Sequence, residues 1–304
     1  MNSSNDNLHI EHISFTATDN VVLYGLRYSA GEHSKKIAIY LHGAGSSSIL
    51  RNPQLNIQLA AQLTRKGVDL LMFENRGASY IKKLHIANNA GNSSTRLGGM
   101  AYETIEECTL DIYGALEWAH SAGYRTFYLI GHSTGANKLC YFLSDNTKQS
   151  AIKKVYLLAG GDDITLQRKR FKDNGINCEN ILEAVNASHE DELVPAKSFP
   201  GEHPISYKSL RELVTPYSDY DIFPFVAYQE TPADGRLFRQ FKSIQVPTVV
   251  IYGSLDFGTV IAPSAAIELL TSLNTRATGY LIDGANHNFN GFEETLAEVI
   301  AKEL

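Results

Sequence analysis

The chain has 304 residues, 43% of them hydrophobic and 20% charged, and a net charge of −6. That composition excludes a disordered or fibrous protein, and the length allows a core that covers both faces of a sheet. Basic residues form only short runs, such as the pairs Lys82 with Lys83 and Lys153 with Lys154, which excludes a phosphate-tracking face and hence nucleic acid as an expected partner.

In chain order, residues 1–7 are polar and lack the apolar centre of a signal peptide. Segments 11–18 and 20–28 are rich in β-branched and aromatic residues, and turn chemistry at Asp19 and Asn20 joins them. They predict an antiparallel hairpin at a sheet edge. The texture then changes. Short apolar runs at 36–41, 68–73, 126–130, 154–158, 247–252 and 278–282 read as strands buried on both faces. Helical periodicity occupies 56–66, 104–122, 135–143, 264–273 and 292–304 between them. The alternation predicts an α/β protein with a mostly parallel, eight-stranded sheet and helices on both faces. Its chemistry is expected at the carboxyl ends of the strands.

One stretch breaks the rhythm. Residues 162–241 separate two strands that a single helix would join. A structureless connection of that length does not suit a compact fold. A helical cap is therefore expected, inserted into a core formed by 1–161 and 242–304. Aromatic residues crowd its second half. They read either as the cap's own core or as the lining of an acyl or aromatic pocket, with Tyr207, Tyr217 and Phe223 the candidate substrate contacts.

The run at 126–130 leads directly into Gly131-His132-Ser133-Thr134-Gly135, and a helical pattern follows. A G-x-S-x-G sequence is common by chance, and its position between strand and helix gives it meaning. A sharp turn there lifts the serine hydroxyl clear of the sheet, and the new helix aims its free N–H groups at the reacting carbon. These residues resemble the nucleophile elbow of the α/β-hydrolase superfamily, and the likeness extends from the hairpin to the last helix. It implies the α/β-hydrolase fold and cleavage of an ester, thioester, amide or related bond. More narrowly, the elbow, the segment 204–210 and the Phe223-Pro224-Phe225 segment are similar to a branch that includes fungal siderophore esterases. Ala136-Asn137-Lys138 departs from that branch's pattern.

A glycine-rich loop, His42-Gly43-Ala44-Gly45, follows the first buried strand. Two backbone N–H groups stabilise the oxyanion that forms on attack. Thr134, next after the serine, is expected to supply one; the resemblance assigns the other to Ala44. His42 reads as a support for this loop. Arg76, in the Asn75-Arg76-Gly77 turn, reads as tying loops together, with a substrate contact as the alternative. Asp256 ends the strand at 247–252 and His287 follows the one at 278–282, so the chain order is Ser, Asp, His. His287 is expected to be the general base, with Asp256 selecting its tautomer. Asp162 and Asp163, after the strand that follows the elbow, are the competing acids.

No spacing suits a metal, and no nucleotide fingerprint appears, so no cofactor is implied. Cys108, Cys140 and Cys178 are odd in number and widely spaced, as for free thiols in a reducing compartment. No apolar run is long enough to span a membrane. A cytoplasmic hydrolase of a small-molecule ester is the expectation, acting through an acyl-enzyme. A thioesterase or acyltransferase shares that machinery, and a ligand-binding protein on the same fold is the alternative of another class.

Overall fold

The computed structural model describes residues 8–31, 34–87, 94–145, 147, 150–187, 189–196, 203–232 and 234–304. The polar stretch 1–7 and positions 188, 197–202 and 233 of the insertion lie outside these. The alternation seen in the sequence becomes one eight-stranded sheet. Its strands are β1 (His9–Thr16), β2 (Val22–Ser29), β3 (Lys36–Leu41), β4 (Asp69–Phe73), β7 (Thr126–His132), β8 (Ile152–Leu158), β9 (Thr248–Leu255) and β10 (Ala277–Asn286), in the order β1-β2-β4-β3-β7-β8-β9-β10. The opening hairpin is antiparallel and β2 runs antiparallel to β4, whereas every pairing from β4 to β10 is parallel. A separate hairpin of β5 (Lys82–Ile86) and β6 (Ser94–Gly98) has no counterpart in the sequence reading.

Each apolar strand divides its side chains between two cores because successive residues point to opposite faces. Ile37, Ile39 and Leu41 of β3 join Leu129 and Val250 in one cluster; Ala38 and Tyr40 join Ile130 and Ile251 in the other. Helices α2 (Cys108–Ser121), α3 (Thr134–Leu143) and α9 (Pro263–Leu273) supply Ile112, Leu139 and Leu270 to the first. Helices α1 (Pro53–Thr64) and α10 (Glu293–Lys302) supply Leu59 and Ile300 to the second. A continuous apolar run is what a strand needs when both of its faces are covered.

Between β8 and β9 lie α4 (Asp163–Asp173), α5 (Cys178–Ala187), α6 (Tyr207–Val214), α7 (Phe225–Glu230) and α8 (Arg239–Lys242). The insertion is not one unit. Phe171, Ile181, Val185, Leu210 and Val214 form a small core for α4, α5 and α6. Phe223, Phe225, Phe238 and Phe241 belong to the larger core beneath the sheet.

Arg76 ties the periphery together. Its guanidinium contacts Asp111 at 2.8 Å, Asp19 at 3.0 Å and Glu107 at 3.0 Å, and its side chain is 1% exposed, as is that of Asp111. Removing one member of such a pair strands a buried charge. Arg76→Met should lower the unfolding free energy by about 3–5 kcal/mol in urea titrations; a loss below about 1 kcal/mol would show that the cluster does not hold these loops.

Candidate active site

Three strand ends converge. Ser133 sits between β7 and α3 with φ 56° and ψ −127°, a conformation unfavourable for a side-chain-bearing residue. The surroundings enforce it. The Ser133 N–H donates to the carbonyl of Leu158 at 2.8 Å, and β7 and α3 approach so closely that glycine is required on both sides. A Cβ on Gly131 would lie 2.4 Å from the Gly135 carbonyl oxygen, and one on Gly135 2.3 Å from that of Leu41. Asp256 directly follows β9 and His287 directly follows β10.

The structure brings these side chains into line. His287 Nε2 lies 3.0 Å from Ser133 Oγ, and His287 Nδ1 lies 2.8 Å from Asp256 Oδ1. Asp256 also accepts the Gly258 N–H at 2.7 Å, and its side chain is fully buried. The competing acids have other partners. Asp162 caps α4 through Thr165 and accepts the Val226 N–H, while Asp163 meets Asn137 and Tyr220. Neither is hydrogen-bonded to His287.

Two further histidines hold the frame. His132 donates from Nε2 to the carbonyl of His287 at 2.8 Å, fixing the backbone beneath the imidazole. His42 donates from Nδ1 to the carbonyl of Gly43 at 2.8 Å, and its Nε2 accepts the Asn75 N–H at 3.3 Å. A carbonyl only accepts, so each contact dictates the tautomer. Burial keeps both rings neutral, pushing His132 down to about 4 and His42 to about 3. Ala44 and Thr134 both border the cleft at Ser133.

That cleft measures about 360 Å³. Its far wall comes from two faces of the insertion: Asp163, Gln167 and Arg170 of α4, and Ser209, Glu212 and Leu213 of α6. Near the elbow, Lys138 pairs with Glu103 at 2.6 Å, both almost fully buried. Tyr220 donates to Asp163 at 3.2 Å. Phe257 stands exposed at the mouth with its ring 5.0 Å from that of His287.

The candidate substrate contacts are corrected here. Tyr207 packs against the small core of the insertion, Tyr217 lies under Arg236 at 3.7 Å, and Phe223 is 2% exposed in the main core against Phe225 and Phe241. None lines the cleft. Aromatic area is most stabilising where water is fully excluded, and here that is the core. Outside the elbow, only Ile205 and Ser209 among the residues of the narrower sequence likeness border the cleft. The polar wall was missed, although residues 163, 167 and 170, and likewise 209, 212 and 213, have the spacing of one helix face.

No protein-family model and no curated protein matches this chain. Solved structures do. Est1E from Butyrivibrio proteoclasticus, with ferulic acid bound, superposes with a TM-score of 0.61 at 13% identity, over 95% of this chain and 96% of that one. The alpha/beta hydrolase GrgF from Penicillium sp. sh18 gives 0.60 at 14% identity, over 97% and 96%. The Pyrococcus furiosus esterase Pf2001 gives 0.59 at 16% identity, over 99% and 92%. This chain therefore has the α/β-hydrolase fold. Among the described residues no helix is long and apolar enough to cross a membrane, and no group of three or more His, Cys, Asp or Glu could hold a metal ion.

Burial raises the carboxyls of the cleft wall, Glu212 to about 8 and Asp163 to about 6. Glu212 accepts the Ile105 N–H at 2.8 Å, joining α6 to the loop before α2. A folded-state value above the unfolded one means that the native protein binds the proton more tightly, so stability falls as pH rises through that window. Glu212→Gln keeps an acceptor for Ile105 and removes the titration. Its stability relative to the parent should rise between pH 5 and pH 9 in urea titrations; a difference independent of pH would show that Glu212 does not titrate in this window.

Proposed function

We propose that the chain is a serine hydrolase that cleaves a small-molecule carboxylic ester through a covalent acyl-enzyme. Ser133 is the nucleophile, His287 the general base and then acid, and Asp256 the group that orients the imidazole. The observation that carries this reading is the unbroken path from the Ser133 hydroxyl through both nitrogens of His287 to the buried Asp256 carboxylate. With the Nδ1 proton directed at Asp256, Nε2 presents its lone pair to the hydroxyl, which is otherwise too weak a nucleophile. The esterase among the fold's relatives agrees with ester chemistry.

The reaction follows from that geometry. Ser133 Oγ attacks the ester carbon as its proton moves to His287 Nε2. The carbonyl oxygen becomes an oxyanion, which the N–H groups of Ala44 and Thr134 receive. Collapse of this intermediate expels the alcohol, which takes its proton from His287. Water then attacks the acyl-enzyme with the same histidine as base, freeing the acid and restoring Ser133. Residues 162–241 act as the cap. Within them, α4 and α6 present the wall that receives substrate, and α7 and α8 anchor it to the main core.

Hydrolysis of short model esters should vanish in Ser133→Ala while the fold persists by circular dichroism. A fluorophosphonate probe should label the parent at Ser133 alone. Asp256→Asn should lower kcat by a factor on the order of 10⁴, because the amide stabilises the wrong imidazole tautomer. Undiminished turnover in Ser133→Ala would remove the serine from the chemistry.

A further inference from the structure

Behind the loop that carries Ala44 lies a second cavity of about 260 Å³, bordered by Tyr40, Ser48, Arg51, His132 and Asn288 among others. Arg51, His132 and Asn288 also border the cleft, so the two spaces adjoin at the catalytic groups. Two features give the chamber donors suited to an anion. Arg51 is exposed and takes part in none of the ion pairs of the described residues. The Ser48 hydroxyl, in a residue 2% exposed, has no hydrogen-bond partner among the described residues. No carboxylate lines the chamber. Glu74, which accepts from the Ser47 hydroxyl and the Ile49 N–H, and Glu293, which accepts from the Asn52 amide, do not border it.

We propose that this chamber is an anion subsite of the catalytic centre, which takes a carboxylate carried on the leaving-alcohol half of the ester. Arg51 supplies the guanidinium fork and Ser48 a hydroxyl donor, a set suited to a planar monoanion. The assignment to the alcohol half rests on the serine-hydrolase reading. The departing oxygen must take its proton from His287 Nε2, and the chamber wall includes Asn288, the next residue, and His132, which holds the His287 carbonyl. An unpaired buried hydroxyl and an unpaired cation each gain when an anion arrives, and a neutral group of the same size satisfies only the hydroxyl.

The test uses acetate esters of straight-chain hydroxy acids of increasing length, each paired with its carboxamide. At the best length the carboxylate should exceed its amide at least tenfold in kcat/KM, mainly through KM. In Arg51→Gln that ratio should fall to within about twofold of one, and Ser48→Ala should reduce it by a smaller factor. Hemisuccinate esters, which put the carboxylate on the acyl half, should show no such gain. Equal rates for acid and amide at every length, a preference that survives Arg51→Gln, or a gain confined to hemisuccinates would overturn the proposal. Calorimetry on Ser133→Ala separates this from the reading beneath it. Free hydroxy acids should bind where their amides do not, and Arg51→Gln should abolish that binding. If no ester is cleaved, the hydrolase reading fails while calorimetry still decides the chamber. Tighter binding of inorganic phosphate than of any hydroxy acid would also count against the carboxylate.

Discussion

The backbone of Ser133 is the constraint on which the rest of the site depends. Its positive φ is unfavourable by about 1–3 kcal/mol for a residue of this kind. It persists because β8 supplies the carbonyl that holds its N–H, and because glycines at 131 and 135 let β7, α3 and the end of β3 come into backbone contact. The same packing sets the neighbouring loops. His42 stands at the end of β3, and its two ring contacts tie Gly43 to Asn75. The loop that carries Ala44 is thus positioned by the elements that force the serine outward.

Hydrogen bonds to backbone carbonyls give the other histidines their roles. His132 and His42 have the same side chain as His287, yet each has a buried ring and a carbonyl that binds one particular tautomer. They serve as neutral struts. His287 instead faces a buried carboxylate on one side and a hydroxyl on the other, the arrangement that lets an imidazole accept a proton and remain stable as imidazolium. Position alone gives the three imidazoles their different partners.

The cleft is more polar than its surroundings suggest. The insertion packs Phe223, Phe225, Phe238 and Phe241 into the main core and lines the cleft with Asp163, Gln167, Ser209, Glu212 and Tyr220. Buried carboxyls hold their protons more tightly than in water, so Glu212 can donate as well as accept hydrogen bonds near neutral pH. Arg51 borders both the cleft and the smaller chamber beside it.

Much of this was legible in the sequence. Runs such as 36–41 and 247–252 are apolar on both faces and short, which only a strand in a doubly covered sheet explains. Ser133, Asp256 and His287 each follow such a run in the sequence, which places them at the carboxyl end of one sheet. Local rules suffice there because strand period and strand-end position follow from a few neighbouring residues. The insertion was different. Its helices could be expected, but not which faces of α4 and α6 turn toward the serine, nor that Tyr207, Tyr217 and Phe223 turn away. Two polar helix faces look alike in sequence, and aromatic side chains suit a core and a pocket equally well. Only the docking of the insertion onto the sheet decided between them, through contacts such as Glu212 with the Ile105 N–H and Phe223 with Phe241, made by residues far apart in the chain.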